Sequence, residues 1–117
     1  MKFSCSQQVL TKAFNIVSKA VTSRTTIPIL KGILLRVSED GILTMSASDL
    51  DLTIEKKLEV DGAEAGEVVV QAKLFGDIIR KLPNSMIHVS EQNTNLLIQC
   101  ANSEFNIVGF AADEFPN

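Results

Sequence analysis

Tryptophan and tyrosine are absent from this 117-residue chain, which holds one histidine, two cysteines and three prolines. Each scarcity closes off a class of chemistry. Phe3, Phe14, Phe75 and Phe110 all fall where the apolar pattern wants core, so no stacking platform for single-stranded nucleic acid is expected. His88 stands alone in a short strand between Ile87 and Val89, which leaves acid–base catalysis without a partner. Cys5 and Cys100 sit in apolar strand patterns with no CxxC spacing. They read as small buried hydrophobes of a reducing compartment, with a disulfide as the lesser alternative. The six glycines are scattered and make no phosphate-cradling loop. Asp49 and Asp51 could aim their carboxylates alike, yet no third ligand is near and a turn accounts for them. The chain therefore reads as non-enzymatic, with no catalytic residue, no metal and no cofactor. No apolar run reaches about 18 residues, so a membrane span is not expected. Residues 1–6 lack the apolar centre of a signal peptide, which points to the cytoplasm.

What the chain does have is charge sorted by element. Its formal net charge is −3. Six of eleven basic residues (Lys12, Lys19, Arg24, Lys73, Arg80 and Lys81) lie in or directly after two expected helices, where Asp77 is the single acid. Five basic and thirteen acidic residues make up the remainder. A positive helical surface can hold a polyanion on one face while the acidic remainder repels it elsewhere.

The first helix is expected over residues 6–21. Leu10, Ala13, Phe14, Val17, Ala20 and Val21 recur at helical spacing on one stripe, and Ser6 suits the N-cap. Lys12, Asn15 and Lys19 share the opposite face. The second helix, over 73–82, is expected to bury Leu74, Phe75, Ile78, Ile79 and Leu82 and to expose Lys73, Asp77, Arg80 and Lys81. Gly76 weakens it by roughly 1 kcal/mol relative to Ala, so it must lean on tertiary packing. Pro83-Asn84 stops it.

The remaining segments read as strands: 1–5, 31–38, 42–48, 51–60, 66–71, 86–91, 95–101 and 104–110. Residues 61–66 look like the main loop and the midpoint. The order strand–helix–strand–strand–strand then occurs twice, an internal pseudo-repeat of 1–61 and 66–110. This implies an α+β domain with two helices on one face and antiparallel sheets outside. Both polar helical faces would emerge on the same side, making the basic patch continuous. Such contacts would be electrostatic, sequence-independent and aimed at duplex phosphates, reflecting about two to four phosphates per domain. The last strand is apolar on both faces, with Phe105 and Ile107 on one and Val108 and Phe110 on the other. It reads either as a buried central strand or as a subunit interface. Residues 110–117 turn polar and stop at Pro-Asn without a closing element, so a larger protein is expected to continue past them.

Several segments now become specific. Met1-Lys2-Phe3 opens into a strand and amphipathic helix, followed by Arg24-Thr25-Thr26-Ile27-Pro28-Ile29-Leu30 and Ser48-Asp49-Leu50-Asp51. Further on come Lys73-Leu74-Phe75-Gly76-Asp77-Ile78-Ile79-Arg80-Lys81-Leu82-Pro83 and the closing Asp113-Glu114-Phe115-Pro116-Asn117. In order and spacing these resemble the N-terminal domain of the bacterial DNA polymerase III sliding clamp, the β subunit, over the whole chain. The resemblance implies the DNA-clamp fold, as one of three such domains in each crescent subunit of a head-to-tail homodimeric ring. It also implies a processivity factor that encircles duplex DNA and tethers the replicative polymerase. Arg24 and Lys73 match basic positions that contact DNA. Lys12, Lys19, Arg80 and Lys81 are added from the charge argument. Phe105 and Ile107 match positions at the subunit interface, and Leu74 is counted with them. Polymerase and clamp loader would bind through domains absent from this chain. The sequence departs from the family pattern at Thr25, where proline is common, and at Asn102 and Glu104, where basic residues are common. A self-contained, non-specific nucleic-acid-binding module is the alternative function.

Overall fold

The computed structural model describes residues 1–22 and 25–116. The chain opens with β1 (Lys2–Ser6) and α1 (Gln7–Val17), then β2 (Gly32–Val37), β3 (Ile42–Ser48), β4 (Thr53–Glu59) and β5 (Asp61–Glu64). It continues with β6 (Gly66–Gln71), α2 (Ala72–Lys81), β7 (Met86–Gln92), β8 (Asn95–Cys100) and β9 (Ser103–Val108). One sheet has the order β5-β1-β7-β8-β9 and the other β4-β3-β2-β6, with every pairing antiparallel. The two halves are thus interlocked. β1 joins the meander that follows α2, and β6 joins the meander that follows α1.

Alternation along the strands sets which faces meet. Ile33, Leu35 and Val37 in β2 and Leu43, Met45 and Ala47 in β3 turn to one side and are buried to 2% exposure or less. Ile87, Leu96 and Ile98 of the other sheet are equally buried. Phe3, Leu10, Phe14, Phe75 and Ile79 fill the space between, so one core joins both sheets to both helices. A smaller cluster lies on the far side of β2 and β6, where Phe115 covers Leu34 and Val69. The closing segment is held there by a two-bond bridge between Phe110 and Val69, at 2.8 and 2.9 Å.

Four expectations change. α1 ends at Val17 and a 3₁₀ turn, Ser18–Ala20, completes the helical stretch. Lys31, expected to open the strand over 31–38, instead closes a 3₁₀ turn, Pro28–Lys31, ahead of β2, with Pro28 at its start, where the missing N–H costs nothing. Residues 61–64, expected as loop, form β5 against the edge of β1, with Lys2 opposite Glu64 at an ion-pair distance of 3.5 Å. Mostly exposed and with no apolar alternation, β5 exists because β1 offers it an open ladder of backbone partners. Phe110, expected in the core, is 48% exposed, because it lies where the chain crosses from β9 to β6.

Both cysteines are free and buried. Cys5 pairs laterally with Ile87 and Ile87 with Cys100, so a whole strand separates the two thiols. Two strand spacings are about 10 Å, beyond disulfide reach. Burial, with a lesser push from the Asp61 carboxylate, raises the Cys5 thiol to about 11. Asp49 serves the turn expected of it: its Oδ1 accepts the backbone N–H groups of Asp51 (3.0 Å) and Leu52 (2.6 Å). That fixes the turn in which Leu50 takes φ +81°.

Candidate nucleic-acid interface

α1 begins where the sequence pattern expects it to. Ser6 is extended, and its hydroxyl accepts the Val9 N–H at 3.2 Å, satisfying one of the free donors of the first turn. Leu10, Ala13, Phe14 and Val17 then face the sheets, and Lys12, Asn15 and Lys19 face solvent. α2 has no side-chain cap. It is held by its buried stripe of Ala72, Phe75, Gly76, Ile78 and Ile79, with Leu82 buried just past its end. Arg80 and Lys81 in its last turn complement the carbonyl end of the helix dipole.

The helices lie side by side and antiparallel. Gln7, at the start of α1, donates its side-chain amide to the Ile79 carbonyl near the end of α2 at 2.9 Å. Ser18 and Val21, past the end of α1, share a slot with Ala72 and Lys73 at the start of α2. Between these ends the Phe14 and Phe75 rings approach to 5.9 Å between centroids, with planes tilted by 55°. Gly76 makes that approach possible. A Cβ there would sit 2.5 Å from the Phe14 ring. The local weakness in α2 is therefore the condition for close helix packing.

On the outer side of this seam, Arg80 reaches from α2 across to α1. Its guanidinium donates to Asn15 Oδ1 at 2.8 Å and lies 5.1 Å from the centre of the Phe14 ring. Asn15 sits between Lys12 and Lys19 on the exposed face of α1, so the two polar faces meet at this contact. Lys73 lies two helical turns before Arg80, with Nζ 3.4 Å from Asp77. Phe14, Ser18, Lys73, Asp77 and Arg80 line an open slot of about 320 Å³ along the seam.

Of the six basic positions expected to contact DNA, the structure gathers five on helices or their immediate continuation, all exposed: Lys12, Lys19, Lys73, Arg80 and Lys81. Arg24 lies outside the described residues. Lys12, Lys19 and Lys81 have no acidic partner among the described residues, whereas Lys73 and Arg80 are engaged as above. Sequence reasoning missed Lys56. It lies on β4 and shares an open groove with Lys12, Val9, Ile16 and Leu58, extending the basic face past α1. Its strand position carried no local signal, because its nearness to Lys12 depends on how α1 packs across β4.

The edge expected to meet a second subunit is also partly revised. β9 is the outermost strand of its sheet, so its outer backbone groups have no ladder partner among the described residues. Phe105 is 38% exposed and Val108 75% exposed, as an edge surface requires. Ile107, expected in the same surface, is only 7% exposed and packs in the core opposite Leu96. Leu74, placed by periodicity in the buried stripe of α2, is instead 41% exposed. It flanks the stripe instead of lying within it.

Comparison with known proteins agrees with this geometry. A family model described as DNA polymerase III beta subunit, N-terminal domain, matches residues 1–117. The beta sliding clamp of Bacillus subtilis is 39% identical over 126 residues, covering all of this chain and 33% of that protein. That of Vibrio harveyi is 36% identical over 119 residues, covering 100% of this chain and 81% of that sequence. Among solved structures, the Bacillus subtilis DNA polymerase sliding clamp superposes with a TM-score of 0.92 at 36% identity, over all of this chain and 33% of that one. The DNA polymerase III subunit beta of Pseudomonas aeruginosa superposes with a TM-score of 0.93 at 31% identity, over 100% of this chain and 32% of that one. The chain thus spans about one third of the length of the Bacillus subtilis clamp. Fold, paired helices and whole-length match agree, and the chain belongs to the family of DNA polymerase III beta subunit N-terminal domains.

Proposed function

We propose that this chain is the first domain of a ring-shaped sliding clamp, a non-catalytic cytoplasmic processivity factor that encircles duplex DNA and tethers the replicative polymerase. The observation that carries the reading is the seam between the helices. Arg80 on α2 meets Asn15 on α1, so basic residues from both helices share one exposed face. A duplex held by such a face is contacted only at its phosphates, which carry no sequence information. Weak, register-free contact lets the duplex slide, and retention then comes from closure of the ring.

In this reading Lys12, Lys19, Arg24, Lys73, Arg80 and Lys81 face the DNA. Phe105, Ile107 and Leu74 belong to the surface that meets the second subunit of a head-to-tail homodimer. The halves 1–61 and 66–110 are two copies of one unit, a view supported by the exchange of β1 and β6 between the sheets. Polymerase and clamp loader bind through the remaining two thirds of the protein.

The deciding experiment loads the full-length protein on nicked circular duplex and follows its retention after linearisation. Retention on the circle and release from free ends is the expected result. Equal retention on both would instead favour a self-contained gripping module. For residues 1–117 alone, weak duplex binding that disappears in Arg24→Ala with Lys73→Ala is expected, and tight binding at moderate salt would sink the ring reading.

A further inference from the structure

We propose that Asp77 is a built-in competitor for backbone phosphate, holding the Lys73 ammonium until DNA displaces it and so keeping the contact loose enough to slide. This rests on the clamp reading and assigns a specific role within its DNA-facing surface. Asp77 is the only carboxylate on either helix. It is 3.4 Å from Lys73 Nζ and lines the interhelical slot beside Ser18 and Arg80.

Helix stability does not account for it. Lys before acid at this spacing is the weaker orientation of a helical pair. The ammonium is 86% exposed, where ion pairs contribute little. Asp77 is also past the first turn of a helix that begins at Ala72, so it gains little from the helix dipole. Aspartate is moreover among the poorer helix formers. What remains is its effect on charge. A phosphate that pairs with Lys73 must take the ammonium from the carboxylate and then stay within roughly 6 Å of it, a repulsion that lowers affinity about three- to tenfold. Arg80 is different. Its guanidinium is already held by Asn15 and Phe14, so the carboxylate governs the lysine alone.

The test measures binding of full-length protein to linear duplex by anisotropy across a salt series, for wild type, Asp77→Asn, Lys73→Ala, the double variant, and Glu39→Gln as a remote charge control. Asp77→Asn is expected to bind three- to tenfold more tightly at low salt. Its salt dependence should steepen, by at most about 0.9 in log–log slope, because an existing phosphate contact becomes fully effective. In the Lys73→Ala background the same change should have no effect, and Glu39→Gln should match wild type. Asp77→Ser, checked for an unchanged melt, supplies the same readout if the asparagine variant folds poorly. Unchanged affinity and slope would overturn the proposal. So would a gain that survives loss of Lys73, or one that Glu39→Gln reproduces, since either would mean net charge alone. Failure of wild type to prefer circular over linear duplex would instead overturn the clamp reading, which keeps the two failures separate.

Discussion

The two helices present positive charge to the same face by opposite means. α1 is capped by the Ser6 hydroxyl, contains no acid, and leaves Lys12 free of any acidic partner among the described residues, as is Lys19 in the turn beyond it. α2 has no side-chain cap, carries Gly76 in its middle, and has Lys73 paired to Asp77 and Arg80 tied to Asn15. The first helix carries its own cap and its charges are loose. The second is stable only in place, and its charges are organised by neighbours. Charge that is merely exposed attracts a polyanion from any direction. Charge fixed across a seam also bridges helices that core packing has already brought together, which makes the face one surface instead of two.

That contrast can be broken at its hinge. Phe14→Ala empties the seam that both helices share and removes the ring beneath Arg80. It should cost about 3–5 kcal/mol in urea unfolding, and a loss below about 1 kcal/mol would mean that the helices do not depend on each other there. Next comes Gly76→Ala. Propensity would favour it by about 1 kcal/mol, but overpacking against Phe14 costs about 1–3 kcal/mol. Net destabilisation is expected; a rise in melting temperature would show that α2 can move away from α1 freely. Smaller still is Ser6→Ala, which should cost about 1 kcal/mol by removing the only side-chain cap on either helix. The complementary change, Gln71→Asp at the uncapped start of α2, should recover a similar amount and so reduce the asymmetry.

The smallest effect at neutral pH concerns the buried thiol that leads into α1. The Cys5 thiol is raised from 9.0 to about 11 in the folded protein. The folded state therefore keeps its proton where the unfolded chain gives it up. The stability this contributes is complete below pH 9.0 and is lost as pH rises toward 11. Unfolding midpoints taken across that window should fall for wild type more than for Cys5→Ala, and identical profiles would refute the assignment.

Several elements were legible because their signals are local. β3 and β6 run over Ile42–Ser48 and Gly66–Gln71, the bounds that alternation and turn residues indicate. The strands expected over 86–91 and 95–101 form as β7 and β8, and Asn93 and Thr94 between them take positive φ, 53° and 66°, as a tight turn between twisted strands requires. β5 was not legible, because a strand of exposed residues has no apolar alternation to betray it. Leu74 was misjudged because an apolar stripe has a margin, and spacing alone does not say how far the neighbouring surface reaches over it. In the candidate site, the collection of cations on helices could be counted from the sequence. Their engagement could not: Arg80 and Asn15 are separated by 65 positions.

The sequence by itself determined that two helices form, the centre of the stripe each buries, and that positive charge belongs to them, since periodicity and charge are properties of neighbouring residues. Only the tertiary structure decided that the helices lie antiparallel and touching, that Gly76 admits the Phe14 ring, and that Lys56 extends the face from a strand. It also decided which cations are free and which are held. Those outcomes depend on distances between residues far apart in the chain, and packing of the shared core sets them.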